Sequence, residues 1–157
     1  MEAPSQAREA QALPHVIHRH SACWRLYSGW IKARIGDVDQ AIACIARAKR
    51  LSPHDPQDVS IQTAMAFAHF MAGRYDEALT WAQAAVRHGP NMQIVHCLAA
   101  ASAALAGRSV EARKAMERLR ELNLSMRLAD AETIILIHRP EHLARWTNAL
   151  RQAGLPE

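Results

Sequence analysis

The stretch AGRYDEALTWAQAAVRHGP, residues 72 to 90, decides the fold because it holds one helix together with both of its end signals. Acidic residues follow Gly73, where the positive end of a helix dipole favours them. Gly89 and Pro90 end the helix, since glycine caps it and proline prevents its continuation. Apolar residues recur at steps of three and four and share one helical face: Ala78, Trp81, Ala82, Ala85 and Val86. The stretch therefore predicts an amphipathic helix.

This pattern occurs three times along the chain. Gly36, Gly73 and Gly107 each end a predicted helix, and they lie 37 and 34 residues apart. An alanine follows each glycine by five residues, and a proline follows the first two by seventeen: Ala41, Ala78, Ala112, Pro53 and Pro90. A period of about 34 residues with two helices per unit predicts a solenoid of stacked helical hairpins.

At these positions the chain resembles the tetratricopeptide repeat, and GRYDEAL at residues 73–79 is closest to the pattern of that family. The resemblance implies an all-α fold, namely a right-handed helical solenoid with a C-terminal capping helix. Residues 21–123 hold the three repeats, at about 22–52, 58–89 and 91–123. Residues 124–157 form the capping segment, and residues 1–20 are expected to be a partly disordered tail.

A narrower resemblance involves SGW at 28–30, AKRLSPHDP at 48–56, TAMAFAHFMAGRYDEAL at 63–79 and the tail at 139–157. These stretches are similar to the C-terminal repeat regions of bacterial signalling proteins, namely class III adenylate or guanylate cyclases and winged-helix transcriptional regulators. The resemblance implies that this chain is, or descends from, the regulatory tail of such a protein. Residues 1–20 do not resemble the group, which fits a truncated reading frame.

The tetratricopeptide resemblance also implies a concave groove lined by the first helix of each repeat. The corresponding positions contain no lysine or arginine, and nine of them form the candidate partner-binding site: Leu26, Trp30, Ala33, Thr63, Phe67, Phe70, Ile94, Cys97 and Ala101. An apolar groove suits an apolar or amphipathic peptide segment. Two alternatives remain: the chain's own terminal segments fill the groove, or Trp30 and Phe67 pack in the core.

Composition excludes several other classes of function. The net charge of +4 arises from 19 basic and 15 acidic residues scattered along the chain, which suits a solvated helical surface better than a nucleic-acid interface. Cys23, Cys44 and Cys97 form neither a disulfide framework nor a zinc-ligand spacing. No signal peptide or membrane-spanning run is visible, so a cytoplasmic protein is expected.

Two groups of histidines are candidate metal sites. His15, His18 and His20 are close together but are better explained as a solvated tail, and Pro140 separates His138 from His142. The glycines form no phosphate-binding loop, and the paired aspartates of cyclase chemistry have no counterpart. We therefore expect no metal, no cofactor and no enzymatic activity.

The sequence thus predicts a non-catalytic protein–protein interaction scaffold in bacterial signalling, with a protein or peptide as its partner and no nucleic acid or membrane. One alternative is the truncated tail of a cyclase or transcriptional regulator. Another is a self-association module that forms a homo-oligomer, because Trp24, Tyr27 and Ile31 are expected to stay partly exposed at the uncapped end of the first repeat. The β-branched residues 133–137 fit either a helix or an extended segment.

Overall fold

The computed structural model describes residues 23–51 and 58–157. Within these ranges the chain forms eight α-helices and no strand, so the predicted all-α fold is confirmed. Helix α1 covers residues 23–35, and the others are α2 (Val38–Leu51), α3 (Asp58–Met71), α4 (Tyr75–His88), α5 (Gln93–Leu105), α6 (Ser109–Leu122), α7 (Leu128–Ile135) and α8 (Pro140–Ala153). The predicted tail at 1–20 and the proline-containing turn after Leu51 lie outside the described residues.

The first six helices form three hairpins that share one turn geometry. Gly36, Gly73 and Gly107 adopt φ angles of +92°, +75° and +73°, a left-handed conformation that costs glycine nothing. In each turn the residue after the glycine donates its backbone N–H to a carbonyl five residues earlier, in the bonds Asp37 to Lys32, Arg74 to His69 and Arg108 to Ala103. This is the hydrogen bond of a Schellman motif, which explains why each first helix ends at its glycine.

The core lies along the first helices of the second and third hairpins. Ten of the fourteen residues of α3 and nine of the thirteen residues of α5 are buried, so these two helices are covered on nearly all sides. Many of their buried residues are alanines, including Ala66 and Ala100 at 0% exposure. Small side chains let neighbouring helices approach closely, which explains the alanine-rich and aromatic-poor composition.

The last helix, α8, closes the array. It packs chiefly on α5 and also contacts α6 and α7. The Trp146 side chain is 0% exposed, and its indole N–H donates to the carbonyl of Ala131 in α7 over 3.2 Å. The Trp146 ring also meets Phe70 of α3 edge-on, with centroids 5.4 Å apart and an angle of 90°. The capping helix therefore connects the last hairpin to the one before it.

Residues 133–135 of the β-branched segment are helical, which is one of the two conformations that the sequence allowed. Helix α7 continues to Ile135 and then breaks at Leu136, which adopts the left-handed conformation with φ +48°. This places Ile134 and Ile135 in the last turn of α7. None of the helices in the described ranges has the length and apolar character needed to cross a bilayer.

Candidate functional site

A cavity of about 220 Å³ opens where the first helices of the three hairpins meet α7. Such first helices line the concave side of a helical-repeat array, so the cavity lies in the concave groove. Its lining residues are Trp30 and Arg34 from α1, Ser60 and Thr63 from α3, Met92 and Ile94 at the start of α5, and Ile134 and Ile135 from α7. All three hairpins and the segment after them contribute to one site.

Trp30 forms the aromatic wall of this cavity and is held by two neighbours. Its ring stacks on Phe67, with centroids 5.3 Å apart and an interplanar angle of 26°. The guanidinium carbon of Arg34 lies 5.5 Å from the centroid of the Trp30 ring, within the range of a cation–π interaction. The indole is half-buried, so it presents a fixed apolar surface to the cavity.

Arg34 supplies a positive charge that lacks a counterion within the described residues. No ion pair or hydrogen bond of its guanidinium group is present there, and its buried Nε has no hydrogen-bond partner. Burial lowers the pKa of Arg34 because desolvation disfavours the charged form. An arginine nevertheless remains protonated at neutral pH, so the site pairs an aromatic wall with a cation that is available to a ligand.

Three of the nine predicted groove residues line the cavity: Trp30, Thr63 and Ile94. Thr63 is only 3% exposed, and its hydroxyl donates to the carbonyl of Val59 over 2.6 Å. The other six are buried in the core, at 5% exposure for Leu26 and 0% for the rest: Leu26, Ala33, Phe67, Phe70, Cys97 and Ala101. These six predicted groove residues therefore present almost no accessible surface to a partner.

Five lining residues lie outside the nine predicted ones, namely Arg34, Ser60, Met92, Ile134 and Ile135. Arg34 follows Trp30 by four residues and so shares its helical face, a spacing that would have identified it. Met92 and Ile134 expose 38% and 37% of their surface. No local pattern places Ile134 and Ile135 in the groove, because they reach it through the packing of α7.

Part of the concave side is covered by the chain itself. Helix α8 packs on α5, and Trp146 covers Phe70 of α3. The C-terminal segment therefore covers one predicted groove residue, Phe70, and its occupation of the groove stays a prediction. The corresponding alternative for the N-terminal tail lies outside the described residues.

Other chemistry at the candidate residues is limited. Burial raises the pKa of the Cys97 thiol to about 12, so it is not a thiolate nucleophile near neutral pH. Within residues 23–51 and 58–157, no three or more histidine, cysteine, aspartate or glutamate side chains gather into a possible metal site. His15, His18 and His20 lie outside these ranges.

Two solved structures share this architecture. The first, the first TPR of Spaghetti (RPAP3) bound to the HSP90 peptide SRMEEVD, has a TM-score of 0.63 and 21% identity, and the match covers 85% of this chain and 90% of that one. The second, the NMR structure of the first TPR domain of human RPAP3, has a TM-score of 0.62 and 21% identity, and covers 86% and 96%. The predicted tetratricopeptide-repeat solenoid is confirmed as the fold. No family model and no curated protein matches the chain.

Proposed function

We propose that this chain is a non-catalytic protein–protein interaction scaffold that binds an apolar or amphipathic peptide segment in the concave cavity. The observation that carries the proposal is the pairing of Trp30, a stacked and half-buried ring, with Arg34, which has no counterion among the described residues. In the proposed complex, an apolar side chain of the peptide lies against Trp30, Ile94 and Ile134. A carboxylate of the same peptide pairs with Arg34.

The size of the cavity supports an anchor for one part of a peptide. Its volume of about 220 Å³ is smaller than the roughly 300–1,000 Å³ of sites that enclose a drug-sized ligand. Peptide complexes commonly draw most of their affinity from a few side chains seated in such pockets. The stacked helices are already ordered, so little entropy is lost by the scaffold on binding. A protein with the same fold that holds the peptide SRMEEVD is a further point in favour.

The proposal is tested by selecting peptides from a random displayed library on the wild-type chain and titrating the best one by calorimetry. Arg34→Gln and Ile134→Ser, which change the cavity without removing a core side chain, should each weaken binding by about tenfold or more. Arg47→Gln, on the exposed outer side of α2, serves as the matched control and should bind like wild type. A library without enrichment, or a peptide that binds all variants equally, would contradict the proposal.

We further propose that the scaffold acts in bacterial signalling in the cytoplasm, as the regulatory tail of a nucleotide cyclase or a winged-helix transcriptional regulator. Support comes from the four stretches at 28–30, 48–56, 63–79 and 139–157 that resemble such tails. Peptide binding at the array would then regulate a domain encoded ahead of it. Sequencing the gene upstream of the Met1 codon tests this setting, since an open frame should lead into a cyclase or a winged helix. A stop codon in frame would contradict it.

Self-association is a second candidate function, favoured by one observation on α1. Four large apolar side chains form an exposed stripe on α1, the first described helix, at 74%, 65%, 58% and 49% exposure: Trp24, Tyr27, Ile31 and Ile35. A second copy that presents the same stripe would bury it in a symmetric contact. Light scattering across a concentration range should show a dimer that Ile31→Glu converts to a monomer. A wild-type monomer at every concentration would contradict this function.

A further inference from the structure

A second cavity lies on the convex side, between the second helices of two neighbouring hairpins. It has a volume of about 460 Å³ and separates α4 from α6. Its floor is aliphatic and is made by Leu79 and Val86 of α4, Ala99 of α5 and Ala115 of α6. Because none of these residues lines the concave cavity, the two sites share no side chain.

The equivalent groove one hairpin earlier, between α2 and α4, is lined by larger side chains. Trp81 stands eight residues after Gly73, as Ala115 stands eight residues after Gly107. Met65 stands eight residues before Gly73, as Ala99 stands eight residues before Gly107. The α2–α4 groove therefore contains an indole and a thioether at the positions where the α4–α6 cavity has two alanines. The chain itself shows that an aromatic ring fits this kind of groove.

A cation accompanies the ring in the α2–α4 groove. The Nζ atom of Lys49 lies 5.0 Å from the centroid of the Trp81 ring. Positive charge is therefore compatible with an aromatic group at this position of the repeat, through the attraction between a cation and the face of the ring. The α4–α6 cavity has cations at its rim, and the only aromatic ring in its described lining is the imidazole of His96, whose Nε2 lies 2.8 Å from the Pro90 carbonyl.

The rim of the α4–α6 cavity carries two cations without a partner. Arg87 and Lys114 are exposed, and neither makes an ion pair or hydrogen bond within the described part of the chain. A third cation, Arg118, already binds the carboxylate of Glu121 over 2.6 Å. The single carboxylate in the lining, Glu111, lies 3.8 Å from Arg108. The rim charges that stay unpaired within the described part of the chain, those of Arg87 and Lys114, are therefore positive.

We propose that the α4–α6 cavity is a second docking site, which takes an aromatic side chain from a partner peptide in which acidic residues flank that side chain. The ring occupies the space that Trp81 fills in the preceding groove, and the flanking carboxylates pair with Arg87 and Lys114. The largely apolar lining favours a peptide side chain over a phosphate backbone, which would meet only the cations at the rim. The proposal does not depend on the concave site, because it rests on different residues.

The test uses the acetylated and amidated peptide EEWEE, titrated into the full chain with isotope-labelled methyl groups. Saturable shifts are expected at the methyl groups of Leu79, Val86, Ala99 and Ala115. The peptides EEAEE and KKWKK separate the two parts of the proposal, since each should bind at least about tenfold more weakly. The absence of a saturable shift, or equal binding of either control peptide, would overturn it.

Two kinds of variant locate the binding. Ala115→Trp should abolish it by placing in the cavity the ring that Trp81 places in its own groove. Arg87→Glu with Lys114→Glu should weaken it by about tenfold or more, whereas Arg113→Glu, one residue away on α6, should have no effect. The charge variants keep the test decisive if Ala115→Trp does not fold. Shifts centred on Ile94 and Ile134, or tighter binding of a short DNA duplex, would refute the assignment.

Discussion

The indole of Trp30 stacks on the ring of Phe67 at 5.3 Å and 26°, and this pair joins α1 of the first hairpin to α3 of the second. Phe67 is 0% exposed, whereas Trp30 is half-buried and lines the concave cavity. The orientation of the cavity wall is therefore set from within the core. Any change to Phe67 should alter both stability and the proposed peptide site.

A double-mutant cycle measures the strength of this contact. We expect Trp30→Leu and Phe67→Leu to show a coupling free energy of about 0.5–1.5 kcal/mol, the usual worth of an aromatic pair beyond its buried area. Urea unfolding of the two single variants, the double variant and wild type gives the value. Additive losses, with no coupling, would mean that the rings do not stabilise each other.

Removal of the Trp146 side chain should destabilise the whole array. Trp146→Ala leaves a cavity beside Phe70 and removes the hydrogen bond to the Ala131 carbonyl, so we expect a loss of about 3–5 kcal/mol in the free energy of unfolding. Leu124→Ala is the control, because Leu124 is 90% exposed and should change stability by no more than about 0.5 kcal/mol. Similar losses in the two variants would show that α8 does not contribute to the core.

Gly29 and Gly107 should resist substitution for different reasons. A Cβ atom at Gly29 would collide with Cγ1 of Ile45 in α2, so Gly29→Ala should cost about 1–3 kcal/mol through overpacking. A Cβ atom at Gly107 would lie more than 4 Å from every described atom outside its chain neighbours, so Gly107→Ala should cost about 1–2 kcal/mol through its left-handed backbone alone.

The variant Ile45→Ala distinguishes the two causes. In that background the cost of Gly29→Ala should fall, because the colliding atom is gone, while the cost of Gly107→Ala should stay the same. Thermal or urea unfolding measures the cost of Gly29→Ala and of Gly107→Ala, each in the wild-type chain and in the Ile45→Ala variant. An unchanged cost at Gly29 would show that α1 and α2 are not in close contact there.

Stability should decrease in mildly acidic solution because of His69. Burial lowers the pKa of this histidine below its ordinary value of 6.5, Arg74 lowers it further, and Glu77 partly opposes the change. The unfolded chain therefore binds this proton at a higher pH than the folded chain does. The stability from neutral His69 is complete above the ordinary pKa and is lost as the pH falls through that value towards the lower folded one.

Urea midpoints at pH 7.5 and pH 5 measure this effect. His69→Gln should show a smaller decrease between the two pH values than wild type does. The pKa of His142 is also lowered, mainly by burial, so His69→Gln with His142→Gln should reduce the decrease further. The same decrease in all three proteins would show that neither histidine is responsible.

The hairpin array could be predicted from the sequence because its signals are local. A glycine and the residues beside it determine each turn. The Schellman motifs that result depend on hydrogen bonds between residues close in sequence and need no distant contact. The repeat period then fixes which helices are neighbours. The ends of α3 and α5 follow from Gly73 and Gly107 in the same way.

The groove surface was less predictable, because helical periodicity identifies apolar faces without saying which neighbour covers them. Phe70 is one of the predicted groove residues, yet Trp146 covers it from a helix about seventy residues further along the chain. Ile134 reaches the cavity in a similarly non-local way. Arg34 is not a groove position of the repeat family, so the resemblance to that family does not identify it.

The contact of α8 with α3 has a consequence for how the protein is made. The hairpins are joined by contacts between residues close in sequence, and such contacts form early and quickly. The Arg145 guanidinium, in contrast, donates to the carbonyl of Met71, which lies 74 residues earlier in the sequence. During translation the hairpins therefore emerge and pack while Phe70 still lacks its cover. The nascent chain presents an aromatic ring to chaperones until α8 has left the ribosome.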